Sequence, residues 1–131
     1  SYLVPDRWLR VLPLVNRALV EGDGRHWPLD VLMALQRGDM QLWIAAGEED
    51  VIAAICVTEL VVAPRQKRLS LILCAGEGVL EMLPDSLPAI EAWARAQGAR
   101  RAEIVGRDGW ARALAGAGYE RRAVLLRKDL C

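Results

Sequence analysis

Three apolar runs in succession constrain this chain more than anything else in it. They are "MQLWIAA" (40–46), "VIAAICVTELVVA" (51–63) and "RLSLILCA" (68–75), separated only by "GEED" and "PRQK". Runs this rich in β-branched residues, joined by such short breaker-containing links, form antiparallel strands rather than helices. They are apolar on both faces, as expected of central strands covered by helices on each side. The rest of the chain must therefore supply helices for two faces. Its 131 residues, 53% of them hydrophobic, suffice for a single domain over 1–131 with a real core.

Upstream, Asp6 is placed to cap a helix carrying Trp8, Val11 and Leu12. Pro13 interrupts it, and helix resumes as far as Val20. "EGDGRHWP" (21–28) is a loop of breakers. Asp30 opens, or lies in the first turn of, a second helix with Val31, Leu32 and Leu35 on one side, and Gly38 ends it. Downstream, "GEGVLEMLPDSLP" (76–88) reads as a loop leading into a helix from about Asp85 to Gln97, with Leu87, Ile90, Trp93 and Ala94 on its apolar stripe. A strand (101–105), a helix (109–117) stopped by Gly118, and a last strand "YERRAVLLRKDL" (119–130) follow. A strand, a crossover helix and a further strand imply a parallel pair. The fold class is therefore α+β or α/β: one mixed sheet, antiparallel except for a parallel central pair, with helices on both faces. Such sheets take ligands beyond the C-terminal ends of their strands.

Charge and cysteines narrow the function. Seventeen basic side chains balance 17 acidic ones, which argues against a dedicated nucleic-acid or membrane-surface binder. Between 99 and 128 there are eight bases and three acids, read as a solvated charged surface. No apolar run approaches the ~20 residues of a membrane span, and no secretory segment is visible, so a cytoplasmic location is expected. If the hairpin turns near Arg65, Cys56 and Cys74 lie opposite each other; in a reducing cytosol they are expected as free thiols. Cys131 is terminal. With no histidine near any cysteine, neither a metal nor a thiol nucleophile is expected.

The element order resembles the GNAT superfamily of acetyl-CoA-dependent N-acetyltransferases. "WARAQGARRAEIVGR" is similar to that family's third helix and following strand, and "ARALAGAGYERR" to its fourth helix and the Gly-aromatic step after it. The chain also resembles short GNAT-like proteins of phages and prophages, through "VPDRW", "MQLW", "VTEL", "EAWARAQG" and "KDL". The resemblance implies acetyl-CoA lying between two parted central strands. Its pantetheine would meet exposed backbone of the strand at 68–75, and its pyrophosphate the amides of a glycine-rich loop at a helix N-terminus.

The family's loop pattern is Gln or Arg, two residues, Gly, one residue, then Gly or Ala. Aligned without gaps on "WARAQG" it falls on 78–83, where Gly78, Glu81 and Leu83 stand at the patterned positions. A shifted alignment uses Gly76 and Gly78 and puts Leu73 at the first position. Candidate cofactor contacts are accordingly Leu73, Cys74, Gly76, Gly78 and Val79. On either alignment the loop carries Glu77 and Glu81 and no base, and a carboxylate facing a pyrophosphate opposes binding by about 1–4 kcal/mol. Many members protonate the departing thiolate with a tyrosine four residues before the Gly-aromatic glycine; here that position is Leu114. The remaining catalytic candidates are Tyr119, in the aromatic slot, and Glu59, as a base toward an acceptor amine. His26 and Trp27 lie in the breaker-rich loop, and Trp27 and Trp110 are candidates to border a cleft. Two readings stay open: an acyl-CoA-dependent N-acyltransferase, and a non-catalytic GNAT-like phage protein that is virion-associated and contacts other phage proteins. No residue pattern selects an acceptor amine or an oligomeric state.

Overall fold

A computed structural model describes residues 12–16, 27–46, 52–76, 79–105 and 108–130. Residues 12–16 are helical (α1). They are followed by α2 (Pro28–Arg37), β1 (Met40–Ala46), β2 (Ile52–Val62), β3 (Lys67–Gly76), α3 (Val79–Ala96), β4 (Arg101–Ile104) and α4 (Asp108–Leu114), with a 3-10 turn over Ala115–Ala117. The four strands form one sheet in the order β1-β2-β3-β4. β1 and β2 pair antiparallel, as do β2 and β3, while β3 and β4 pair parallel. This is the expected mixed sheet, with its crossover through α3.

Alternation along β2 feeds both faces. Ile55 and Val57 pack with Val15, Val31, Ala34 and Leu35, which places α1 and α2 on one side. Cys56 packs with Leu71, Leu83, Leu87 and Leu114, which places α3 and α4 on the other. Thr58 is fully buried on this second side and fully satisfied: it donates to Gln41 Oε1 at 2.9 Å and accepts from Trp43 Nε1 at 3.0 Å. Trp43 in turn meets Trp93 of α3 edge-to-face, with ring centroids 5.7 Å apart. Among the described residues, one face is thus packed by apolar contacts, while the other adds a polar cross-strand chain that ties β1 to β2 beneath α3.

Residues 12–16, Pro13 among them, are helical; Asp6, Trp8, Val11 and Val20 lie outside the described residues, and with them the expected interruption ahead of Pro13. Two expectations need correction. α3 starts at Val79 rather than near Asp85, and it runs through Pro84 and Pro88. Each proline forfeits one backbone hydrogen bond, which normally breaks a helix. The compensation is visible in the buried stripe: Leu83, Leu87, Ile90 and Ala94, each 4% exposed or less, recur at helical spacing on both sides of the prolines. Finally, residues 119–130 form no strand. Residues 120–130 are exposed throughout, and their arginines and lysine flank the apolar Val124, Leu125 and Leu126 closely enough that neither face of a strand would be wholly apolar. Strand propensity is realised only against a partner and a surface to cover.

Candidate functional site: the parting of two parallel strands

β4 pairs with β3 only from Arg68↔Arg101 to Leu71↔Ile104. β3 continues five residues further on its other side, held by β2 through Cys74↔Cys56 to Gly76↔Ala54. The pairing jumps from Thr58↔Leu71 to Val57↔Leu73, so Ile72 is an extra residue in β3. A bulge bends the strand and increases its twist. It sits one residue past the last β3–β4 pair, which explains why the strands separate there. Along 72–76, the edge of β3 toward β4 has no strand partner among the described residues. β3 ends at Gly76, whose φ of +135° is a conformation side-chain-bearing residues rarely adopt. The 18-residue helix α3 begins at Val79, so its unpaired N-terminal amides follow within a few residues of the strand's end.

This connection collects most of the expected cofactor contacts. Leu73 and Cys74 lie in the parted stretch of β3, Gly76 ends it, and Val79 opens α3; Gly78 lies outside the described residues. Glu81 and Leu83, by contrast, belong to α3 and not to the connecting loop, and Leu83 is 4% exposed in the core. The gapless alignment thus puts Leu83 in a loop where the chain has helix, while of the shifted alignment's two glycines Gly76 ends β3 and Gly78 lies outside the described residues.

The catalytic candidates are not brought together. Glu59 sits at the register of Met40 and Ser70, and strand alternation turns it to the α1/α2 face with Val57. Tyr119 packs with Cys56 and Leu114 on the α3/α4 face. Leu114, at the position where the resemblance puts an acidic tyrosine, is 1% exposed and packs in that same cluster. His26 lies outside the described residues, and Trp27 is 76% exposed. Trp110 does border a cleft, an open space of about 1270 Å³ between β4 and residues 117–125.

Sequence reasoning missed one pair. Tyr119 Oη donates to Glu91 Oε2 at 2.8 Å, joining the segment after α4 to the middle of α3 inside the cleft. Gly118, at φ +92°, turns the chain so that Tyr119 points back. Nothing local to either residue signals the contact, because 28 positions separate them. Burial, and then the bond to Glu91, push the phenol's pKa well above its usual value. An unfolded tyrosine releases its proton near pH ~10, whereas the folded one retains it. The stability this pair contributes is therefore fully present below pH ~10 and is lost as pH climbs toward the folded value. Urea unfolding should show wild type and Tyr119→Phe running parallel in pH below ~9, with wild type falling more steeply above ~10. Parallel curves throughout would remove the linkage.

Among the described residues there is no group of three or more metal-ligating side chains, and no helix is long and apolar enough to cross a membrane. No protein-family model matches the chain, and no curated protein matches it in sequence. Solved structures do match. A tetramutant of the BH1408 protein from Bacillus halodurans superposes with a TM-score of 0.68 at 19% identity, over 95% of each chain. An aminoglycoside acetyltransferase from an uncultured soil metagenomic sample, solved with sisomicin, gives 0.69 at 10% identity over 100% of this chain and 93% of that one. A Trypanosoma brucei acetyltransferase gives 0.60 at 11% identity over 79% and 78%. The architecture is that of the GNAT acetyltransferases, and identities this low carry the fold alone.

Proposed function

We propose that the chain is an acyl-CoA-dependent N-acyltransferase that works by positioning, without a tyrosine acid on α4. The observation that carries this is the parting of β3 and β4 one residue before the Ile72 bulge, ahead of Gly76 and the start of α3. The residues present fit acetyl-CoA in kind. On the side toward β4, backbone groups of 72–76 lie in the sheet plane with no strand partner among the described residues, as an extended pantetheine amide chain requires. Gly76 removes a side chain where the chain turns toward the amides of α3, the arrangement that favours an anion. Placing Leu83 in the core also weakens the objection that bulk fills this cradle.

When bound, acetyl-CoA supplies an acyl group already activated as a thioester. The chain's own contribution is to hold that group against an amine, which is worth roughly 7–11 kcal/mol when the geometry is productive. Glu59, on the opposite face from α3, is the carboxylate we assign to accept the amine's proton, through water. Tyr119 already donates its hydrogen bond to Glu91, so we assign it to position α3 against the segment after α4.

Thermal unfolding with acetyl-CoA tests the proposal. At 100 times the dissociation constant, a specific site adds about 2.7 kcal/mol of stability, on the order of 10 °C for a domain of this size. No shift at millimolar acetyl-CoA would end the enzyme reading.

A second reading, an interaction module, is favoured by one observation. Val124, Leu125, Leu126 and Leu130 are 71%, 55%, 87% and 88% exposed in a segment that forms no strand. A run of exposed large apolar side chains suits a protein partner, which the resemblance to phage proteins would make another particle component. That reading requires the absence of an acetyl-CoA shift together with the protein's retention in purified particles.

A further inference from the structure

Cys56 and Cys74 are paired residues of β2 and β3, and their Sγ atoms stand 3.2 Å apart. Facing residues of an antiparallel pair have Cα atoms about 4.5–5.5 Å apart, inside the roughly 4.4–6.8 Å that a disulfide spans. The sulfurs need to close by only about 1 Å to reach bonding distance, a movement of side-chain torsions with no change of register. Their burial differs: Cys56 is 4% exposed, whereas Cys74 is half-buried. The site is also placed where it matters to the fold. Cys74 lies three residues beyond Leu71, the last β3 residue paired with β4, so it belongs to the stretch that, among the described strands, pairs only with β2.

We propose that Cys56 and Cys74 form a dithiol oxidation site that closes to an intramolecular disulfide with oxidants of the peroxide class. Cys74 reacts first because it is the more exposed of the two residues. Its sulfur takes one oxygen from hydrogen peroxide, giving a sulfenic acid and one water. The Cys56 sulfur then attacks the Cys74 sulfur, the S–O bond breaks, and the leaving hydroxyl departs with the Cys56 proton as a second water. The dithiol loses two electrons and two protons, and the peroxide takes both. The hydrogen bond with Cys74, followed by burial, holds the Cys56 thiol well above the ordinary thiol range, consistent with its role as the resolving and not the attacking group. The product cross-links β2 to β3 across an 18-residue separation, which restricts the unfolded chain. This inference stands apart from the acyltransferase reading.

The test uses the full chain, treated with hydrogen peroxide, quenched, alkylated under denaturing conditions and cleaved with trypsin, which cuts between the two cysteines at Arg65, Lys67 and Arg68. The expected product is a disulfide-linked peptide pair containing Cys56 and Cys74, absent without peroxide and lost on reduction. The oxidised protein should also melt several degrees higher than the reduced protein. In Cys56→Ser, Cys74 should accumulate as a sulfenic acid trapped by dimedone, whereas in Cys74→Ser, Cys56 should remain an alkylatable thiol. Recovery of both cysteines as alkylated free thiols after peroxide would overturn the proposal, as would their pairing only with Cys131. That readout on the unsubstituted chain does not depend on how either variant folds.

Discussion

Leu83→Ala will destabilise the protein by about 2–5 kcal/mol, measured as a drop in the urea midpoint at unchanged slope. The size follows from where the residue sits. Leu83 is 4% exposed, packs with Cys56, Leu71, Leu87 and Leu114, and belongs to the buried stripe of α3. A loop residue beside a phosphate site would behave differently, because truncating an exposed side chain there costs within about 0.5 kcal/mol. The variant thus separates the two places the residue could occupy, one in the cradle and one in the core. It bears on the site as well. Leu83 anchors the first turns of α3 ahead of Pro84 and Pro88, each of which removes a helix hydrogen bond. A loss below about 1 kcal/mol would return Leu83 to the loop and restore the objection that bulk fills the cradle.

The strands were legible because their information is local. Met40–Ala46 is largely apolar and bounded by breakers, and its observed limits are those expected; β2 ends one residue early, its expected first residue lying outside the described residues, and β3 is longer by a residue at each end. The parallel pair was legible for the same reason, since a crossover helix between strands leaves few topologies. The start of α3 was not, because two prolines give a strong local stop while the opposing signal is a stripe that continues to Leu83, on the N-terminal side of both. Extending the Leu87–Ile90–Ala94 pattern back by one helical turn would have found it. The missing last strand had no such signal. Val124, Leu125 and Leu126 have strand propensity, but whether β4 offers them an edge depends on the path after Gly118, which no local pattern encodes. At the site, glycine at 76 was readable as a turn, whereas the bulge at Ile72 that parts the strands is a property of register between two chain segments. The Tyr119–Glu91 bond is likewise a product of tertiary approach.

Leu114→Ala will cost a similar amount, about 2–5 kcal/mol, and here the alternative is chemical. The resemblance places a proton-donating tyrosine at this position, so leucine reads as an emptied acid slot. A slot kept open for chemistry would be wet, and trimming its leucine would change stability little. Leu114 is instead 1% exposed and touches the same cluster as Leu83 and Leu87 from the α4 side. Its side chain is the means by which α4 closes over α3 and the sheet, so its removal leaves a cavity between elements that are far apart in sequence. Because Leu83 and Leu114 share that cluster, the double variant should depart from the sum of the two single losses by about 0.5–3 kcal/mol. Additive losses would mean that the two leucines do not line one cavity and that α4 is seated otherwise. Coupled losses would make the departure from a tyrosine a packing decision: the chain uses the position to hold α4 down, and any acyl transfer must proceed without an acid from that helix.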